Sequence, residues 1–219
     1  MKSVMLVLLL LLLSAGAFAL SLTEKGKALS VIVLGPDATE PERNAAAELA
    51  DYVEKLSGAR LETVSEPSAD KANIYVGQTE MTKSAMPDFD WDSLKSDGIV
   101  IKTVPGGLVL AGDRPRGTLY AVYEFLERYQ GVRFLTIDAE IVPRTESVAL
   151  PDKTEYIHTP PLFSREVFYE PNHADYKLAV KLRLNGHYNS AIPEEWGGRC
   201  ELIGFAHTFE GMLLPAGRY

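Results

Sequence analysis

Two amphipathic helices enclose a run of short strands that contains a hairpin, and few folds accommodate that order. Leu29–Leu34 is a short apolar, β-branched run closed by Gly35-Pro36, the pattern of a buried strand. Thr39-Glu40-Pro41-Glu42 then opens a helix: Thr39 can cap it, Glu42 stands at the capping-box position, and Pro41 fits the first turn. Ala45, Leu49, Tyr52, Val53 and Leu56 share one face, and Gly58 suits a left-handed stop. Leu61–Val64 and Asn73–Val76 read as strands, whereas Gln78–Ser96 is polar, contains Pro87 and reads as a loop with a short helical turn. Gly98–Thr103 and Leu108–Gly112 flank Pro105-Gly106-Gly107 as the arms of a hairpin. A second helix over Thr118–Tyr129 turns Leu119, Val122, Phe125, Leu126 and Tyr129 inward, and Val132–Leu135 supplies one more strand. The expected fold is therefore α+β, a mixed sheet with two helices on one face.

Residues 136–161 lose this rhythm, and Pro143, Pro151, Pro160 and Pro161 punctuate them as they would an inter-domain connection. Beyond Pro161, Leu162–Tyr169 reads as a strand and Ala174–Leu184 as a helix. The fifty-eight residues from Leu162 to Tyr219 are too few for a core of their own and read as the start of a further domain. At the other end, Lys2 precedes an unbroken apolar run, Val4–Leu13, and Ala17-Phe18-Ala19 has the small-x-small form of a cleavage site. Residues 1–19 thus read as a signal peptide, too short for a comfortable membrane span and with no lipid-accepting Cys behind it. The expected division is 1–19 signal peptide, 20–142 α+β domain, 143–161 linker and 162–219 an incomplete following domain. The expected location is secreted or periplasmic, with no membrane contact after signal cleavage.

Composition narrows the chemistry. A net charge of −8 without clustered Lys and Arg disfavours a nucleic-acid partner. The single cysteine, Cys200, rules out an intrachain disulfide and a Cys-based zinc site. His158, His173, His187 and His207 lack zinc-peptidase spacing. Gly112-Asp113-Arg114-Pro115-Arg116-Gly117-Thr118 has the glycine spacing of a phosphate loop, but Thr118 stands where the phosphate-binding Lys belongs. The alternative is a tight strand-to-helix turn braced by Arg114 and Arg116. No cofactor or metal is expected. Arg165, in mid-strand, needs either a structural carboxylate or sugar hydroxyls as its partner. Glycoside hydrolysis commonly uses two carboxylates about 5–10 Å apart, and the spacing of Glu166, Glu170, Glu194, Glu195 and Glu201 marks no such pair.

Gly112–Glu127, followed by Gly131-Val132-Arg133-Phe134-Leu135, resembles the α+β domain that precedes the barrel in bacterial β-N-acetylhexosaminidases and α-glucuronidases. The likeness is greatest to a bacterial family that joins this domain to a hexosaminidase-like (β/α)8 barrel. Leu29–Leu34, Glu42–Leu56 with Ser57-Gly58, Tyr75-Val76-Gly77 and Asp97-Gly98-Ile99 extend the resemblance over about residues 25–150. It implies a hexosaminidase domain 2-like fold and then the incomplete start of a (β/α)8 barrel. Pro161–Arg165 is similar to the first barrel strand, whose Arg binds sugar hydroxyls, and Leu182–Asn185 to the end of the first barrel helix. Tyr188 and Ser190 depart from the hexosaminidase pattern, which has histidines there, while Ala206-His207-Thr208-Phe209 suits the barrel-bearing family. The implied substrate-binding residues are Arg165, Asn185, His187 and His207, the implied partner is a carbohydrate, and the catalytic carboxylates fall outside this sequence. The parent protein would be a glycoside hydrolase; the alternative is a non-catalytic carbohydrate-binding or scaffolding module.

Overall fold

The structure, a computed structural model, describes residues 19–170, 174–186 and 191–201. Its centre is a six-stranded mixed sheet of β4 (Ser30–Val33), β5 (Glu62–Val64), β6 (Ala72–Val76), β7 (Ile99–Val104), β8 (Gly107–Gly112) and β12 (Glu155–His158). The order across the sheet is β12-β7-β8-β6-β4-β5. β5, β4, β6 and β8 run parallel to one another, whereas β7 pairs antiparallel with β8 and β12 antiparallel with β7 at one side. Pro105-Gly106 is the two-residue turn between β7 and β8, and Gly106 takes the positive φ (73°) such a turn demands.

The pleat sends alternate side chains to two cores. Ile74 and Val76, Ile99 and Ile101, Leu108 and Leu110 face one side, where they meet α1 (Glu40–Ser57) and α3 (Gly117–Gln130). Tyr75, Val100, Val109 and Ala111 face the other, against Met86, Leu94, Phe89 and Trp91. The two long helices therefore share one face, as expected of the α+β fold. The opposite face is covered by the 78–96 stretch, which carries α2 (Glu80–Ala85) and a 3₁₀ turn, Trp91–Ser93. Phe134, in the short hairpin β9 (Arg133–Phe134) and β10 (Glu140–Ile141), packs edge-on between Tyr52 of α1 and Tyr123 of α3.

α1 begins as its sequence dictates. Glu42 reaches back to accept the Thr39 N–H at 2.8 Å, and Gly58 closes the helix with φ 77° while donating to the Glu54 carbonyl.

Three expectations need correction. Residues 143–161 are not a bare linker: β11 (Ala149–Pro151) pairs antiparallel with β1 (Ala19–Ser21), and β12 forms a sheet edge against β7. An edge strand tolerates flanking prolines because one side of its backbone is unpaired. Leu162–Tyr169 is not a strand, and no ladder forms there among the described residues. Its backbone instead exchanges hydrogen bonds with Asn185 around Arg165. The helix expected over Ala174–Leu184 has its regular part, α4, at Tyr176–Lys181; Asp175 caps it, and Arg183 turns left-handed (φ 59°) just beyond its end. Ala179 and Val180 of α4, with Ile192 and Trp196, join the α1/α3 core.

Candidate functional site

The β8–α3 turn settles what its glycines do. A Cβ on Gly112 would lie 2.3 Å from the Gly117 carbonyl carbon, and one on Gly117 would lie 2.7 Å from the Gly98 carbonyl oxygen. The start of α3 is pressed against two strands and leaves no cradle for a phosphate. The two arginines between the glycines brace the turn. Arg114 donates from Nε (3.1 Å) and Nη2 (3.0 Å) to Glu42, whose side chain is 1 % exposed and also accepts the Gln78 N–H. Arg116 reaches the other way, to Asp97.

Asp97 is the centre of the site. It sits at the mouth of β7 in a left-handed conformation (φ 65°), which Asp tolerates better than most residues, and is 3 % exposed. Its carboxylate accepts from Arg116 Nε and Nη2 at 2.9 Å each, from Arg165 Nη2 at 2.7 Å and from Asn185 Nδ2 at 2.8 Å. Arg165 also donates to the carbonyls of Arg183 (2.9 Å) and Leu162 (2.9 Å), and its backbone N–H donates to Asn185 Oδ1 at 2.8 Å. Tyr120 lies beneath, with its ring centre 5.6 Å from the Arg165 guanidinium and its hydroxyl donating to the Leu184 carbonyl. Burial would lower the basicity of Arg116, but the Asp97 carboxylate outweighs it and holds the guanidinium above its ordinary value. Burial pushes the Tyr120 phenol up, and Asp97 adds to the effect. Burial likewise raises the nearby Asp113 carboxyl, whose oxygen accepts the Asp97 N–H at 3.2 Å.

Beside this cluster opens a cavity of about 280 Å³, bordered by Asp97, Tyr120, Glu124, Tyr156, His158 and Arg165. The His158 and Tyr156 rings lie 14° from parallel with centres 6.0 Å apart. Of the residues expected to bind substrate, Arg165 and Asn185 are brought together on Asp97, whereas His187 and His207 lie outside the described residues. Two participants escaped the sequence reading. Asp97 was visible only as part of Asp97-Gly98-Ile99, and the usable signal was that Arg116 and Arg165 both required an acid. His158 reaches the cavity only because β12 joins the sheet. Among the described residues, no three His, Cys, Asp or Glu side chains are placed to hold a metal ion, and no helix is long and apolar enough to cross a membrane.

Residues 19–125, just under half of the chain, match the family model described as Glycosyl hydrolase family 67 N-terminus, so the α+β domain is similar to the N-terminal domains of α-glucuronidases. The chain is accordingly glycosidase-related. Its fold follows that of a family GH115 4-O-methyl-α-glucuronidase with specificity for decorated arabinogalactans, at 16 % identity and a TM-score of 0.59. The match covers 83 % of this chain and 29 % of that enzyme, so the chain spans less than a third of its length. A GH138 enzyme targeting pectin rhamnogalacturonan II matches over 47 % of this chain and 13 % of its own, at 19 % identity and a TM-score of 0.34. No curated protein matches the sequence.

Proposed function

We propose that the chain is the N-terminal portion of an exported glycoside hydrolase acting on oligo- or polysaccharides, of α-glucuronidase or hexosaminidase-like specificity. The observation that carries this is the extent of the fold likeness. A likeness over 83 % of the chain to a glycoside-cleaving enzyme supports the reading. Export rests on the apolar run and the small residues before Leu20, which would make Leu20 the first residue of the mature protein. In this reading Arg165, Asn185, His187 and His207 border the sugar, and the acid and base lie further along the protein. A second reading, a scaffolding module, draws on the short contact of Arg165 Nη2 with the buried Asp97 carboxylate (2.7 Å), the structural partner such an arginine needs.

The test compares this chain with the protein carried to its natural C-terminus. Both are assayed on 4-O-methyl-α-glucuronides, decorated arabinogalactan and N-acetyl-β-hexosaminides. Turnover by the longer protein alone is expected, because binding residues without a carboxylate pair do not lower the barrier to bond cleavage. Turnover by the short chain, or none by the longer one on any glycoside, would overturn the proposal.

A further inference from the structure

The carboxylate of Asp97 is divided between two parts of the chain. Oδ1 takes both Arg116 contacts, from within the α+β domain, and Oδ2 takes Arg165 and Asn185, from the segment beyond Pro161. We infer that Asp97 is a docking receptor: the α+β domain holds it ready through Arg116, and its free oxygen fixes the chain of residues 162–201 in place.

The asymmetry of the interface supports this. Without the segment, Asp97 would still be paired with Arg116. Arg165, only 15 % exposed at its side chain, would by contrast lose the one carboxylate partner it has among the described residues. The segment has little to hold itself with, since α4 is six residues long and well below the length at which a helix is stable alone. Its anchors cross to the domain. Arg183 pairs with Glu124 and Glu127, Lys181 with Glu140, the Tyr120 hydroxyl bonds Leu184, Arg116 bonds Gly197, and Asn44 bonds Glu195. Three of these are made to a carbonyl, and the ion pairs of Arg183 and Lys181 are only partly buried. The Asp97 contacts are buried, charge-assisted and short, which places the strongest polar fixing point at Oδ2. The partner of this surface is thus the protein's own following chain, and the domain's role is to set where Arg165 and Asn185 stand. The inference holds whichever glycoside is cleaved.

Site-resolved hydrogen exchange on the whole chain tests it. Asp97→Asn keeps the shape and the tolerance of a left-handed backbone but removes the charge, and Arg165→Gln leaves the Asp97–Arg116 pair untouched. Each should speed exchange of the α4 amides by about tenfold, and in Arg165→Gln α1 and β8 should stay within about twofold of the parent protein. The double variant should exceed the larger single effect by little, because both substitutions break one contact. Loosening of α1 and β8 as large as that of α4 in Arg165→Gln would overturn the inference even if Asp97→Asn does not fold. So would unchanged α4 exchange, or effects that simply add.

Discussion

Replacing Gly117 by Ala tests whether the β8–α3 turn is a packing joint. The added methyl would lie 2.6 Å from the Gly112 carbonyl carbon, 2.7 Å from the Gly98 carbonyl oxygen and 2.8 Å from the Gly112 Cα. All three are backbone atoms of central strands or their ends, so no side chain can swing aside, and α3 itself would have to retreat. Its inner face, Leu119, Tyr120, Val122, Tyr123, Phe125 and Leu126, is at most 1 % exposed, so that retreat would open the core along the helix. Overpacking of this kind costs about 1–3 kcal/mol. The better helix propensity of Ala returns up to about 1 kcal/mol, less at a helix start. A net loss of about 2 kcal/mol corresponds to a fall in Tm of roughly 4–8 °C for a chain of this size. Gly58→Ala is the internal comparison: nothing lies within 4 Å of its added methyl, and only the left-handed backbone (φ 77°) opposes it, at about 1 kcal/mol. Thermal and urea unfolding of both variants should rank Gly117→Ala well below Gly58→Ala. A Gly117→Ala protein as stable as the parent would show that the turn has room, and the phosphate-loop reading would have to be reopened.

Arg114→Ala should cost about 2 kcal/mol in urea unfolding, because it leaves the buried Glu42 carboxylate with only backbone donors; the half-exposed position of Arg114 keeps the loss below that of a fully buried pair. Arg114→Lys should recover part of it, and a loss below about 0.5 kcal/mol in Arg114→Ala would show that the pair is not needed. Glu140 should give the fold an acid-sensitive contribution. Burial alone would raise its carboxyl, but the Tyr52 hydroxyl, Lys55 and Lys181 outweigh it and hold the carboxyl below its ordinary value. A group depressed in the folded state stabilises fully above its unfolded range and loses that contribution as pH falls through its folded value. The Tm difference between the parent protein and Glu140→Gln should therefore shrink from about pH 5 to about pH 3, and parallel curves would refute the assignment.

The elements legible in the sequence were those whose determinants are local. Thr39 and Glu42 mark the start of α1 and Gly58 its end; Pro105-Gly106 fixes the hairpin, and Gly131 stops α3. The elements that escaped are defined by distant partners. β12 is four residues between prolines, with no period to read, and it exists because β7 offers an edge more than fifty residues earlier. Leu162–Tyr169 has the composition of a strand, but composition does not supply a neighbouring strand, and Asn185 takes the backbone groups of Arg165 instead. At the site, the demand was legible and the supply was not. Arg165 called for a carboxylate or a sugar, but Ser96-Asp97-Gly98 looks like an ordinary polar turn, and only the fold closes the 68 residues between Asp97 and Arg165.

The pairing of β1 with β11 sets a clock on the biogenesis of the domain. Ala19 lies opposite Pro151, so the first strand to leave the ribosome meets its partner only after about 130 further residues have been made. At roughly 5–20 residues per second that interval is about 7–26 s. During it Leu20 and Leu22, which pack into the core, have no partner from the end of the domain, and the Leu22 amide waits for the Val148 carbonyl. The N-terminal seam therefore closes late in synthesis, after five of the six strands of the central sheet have already been made.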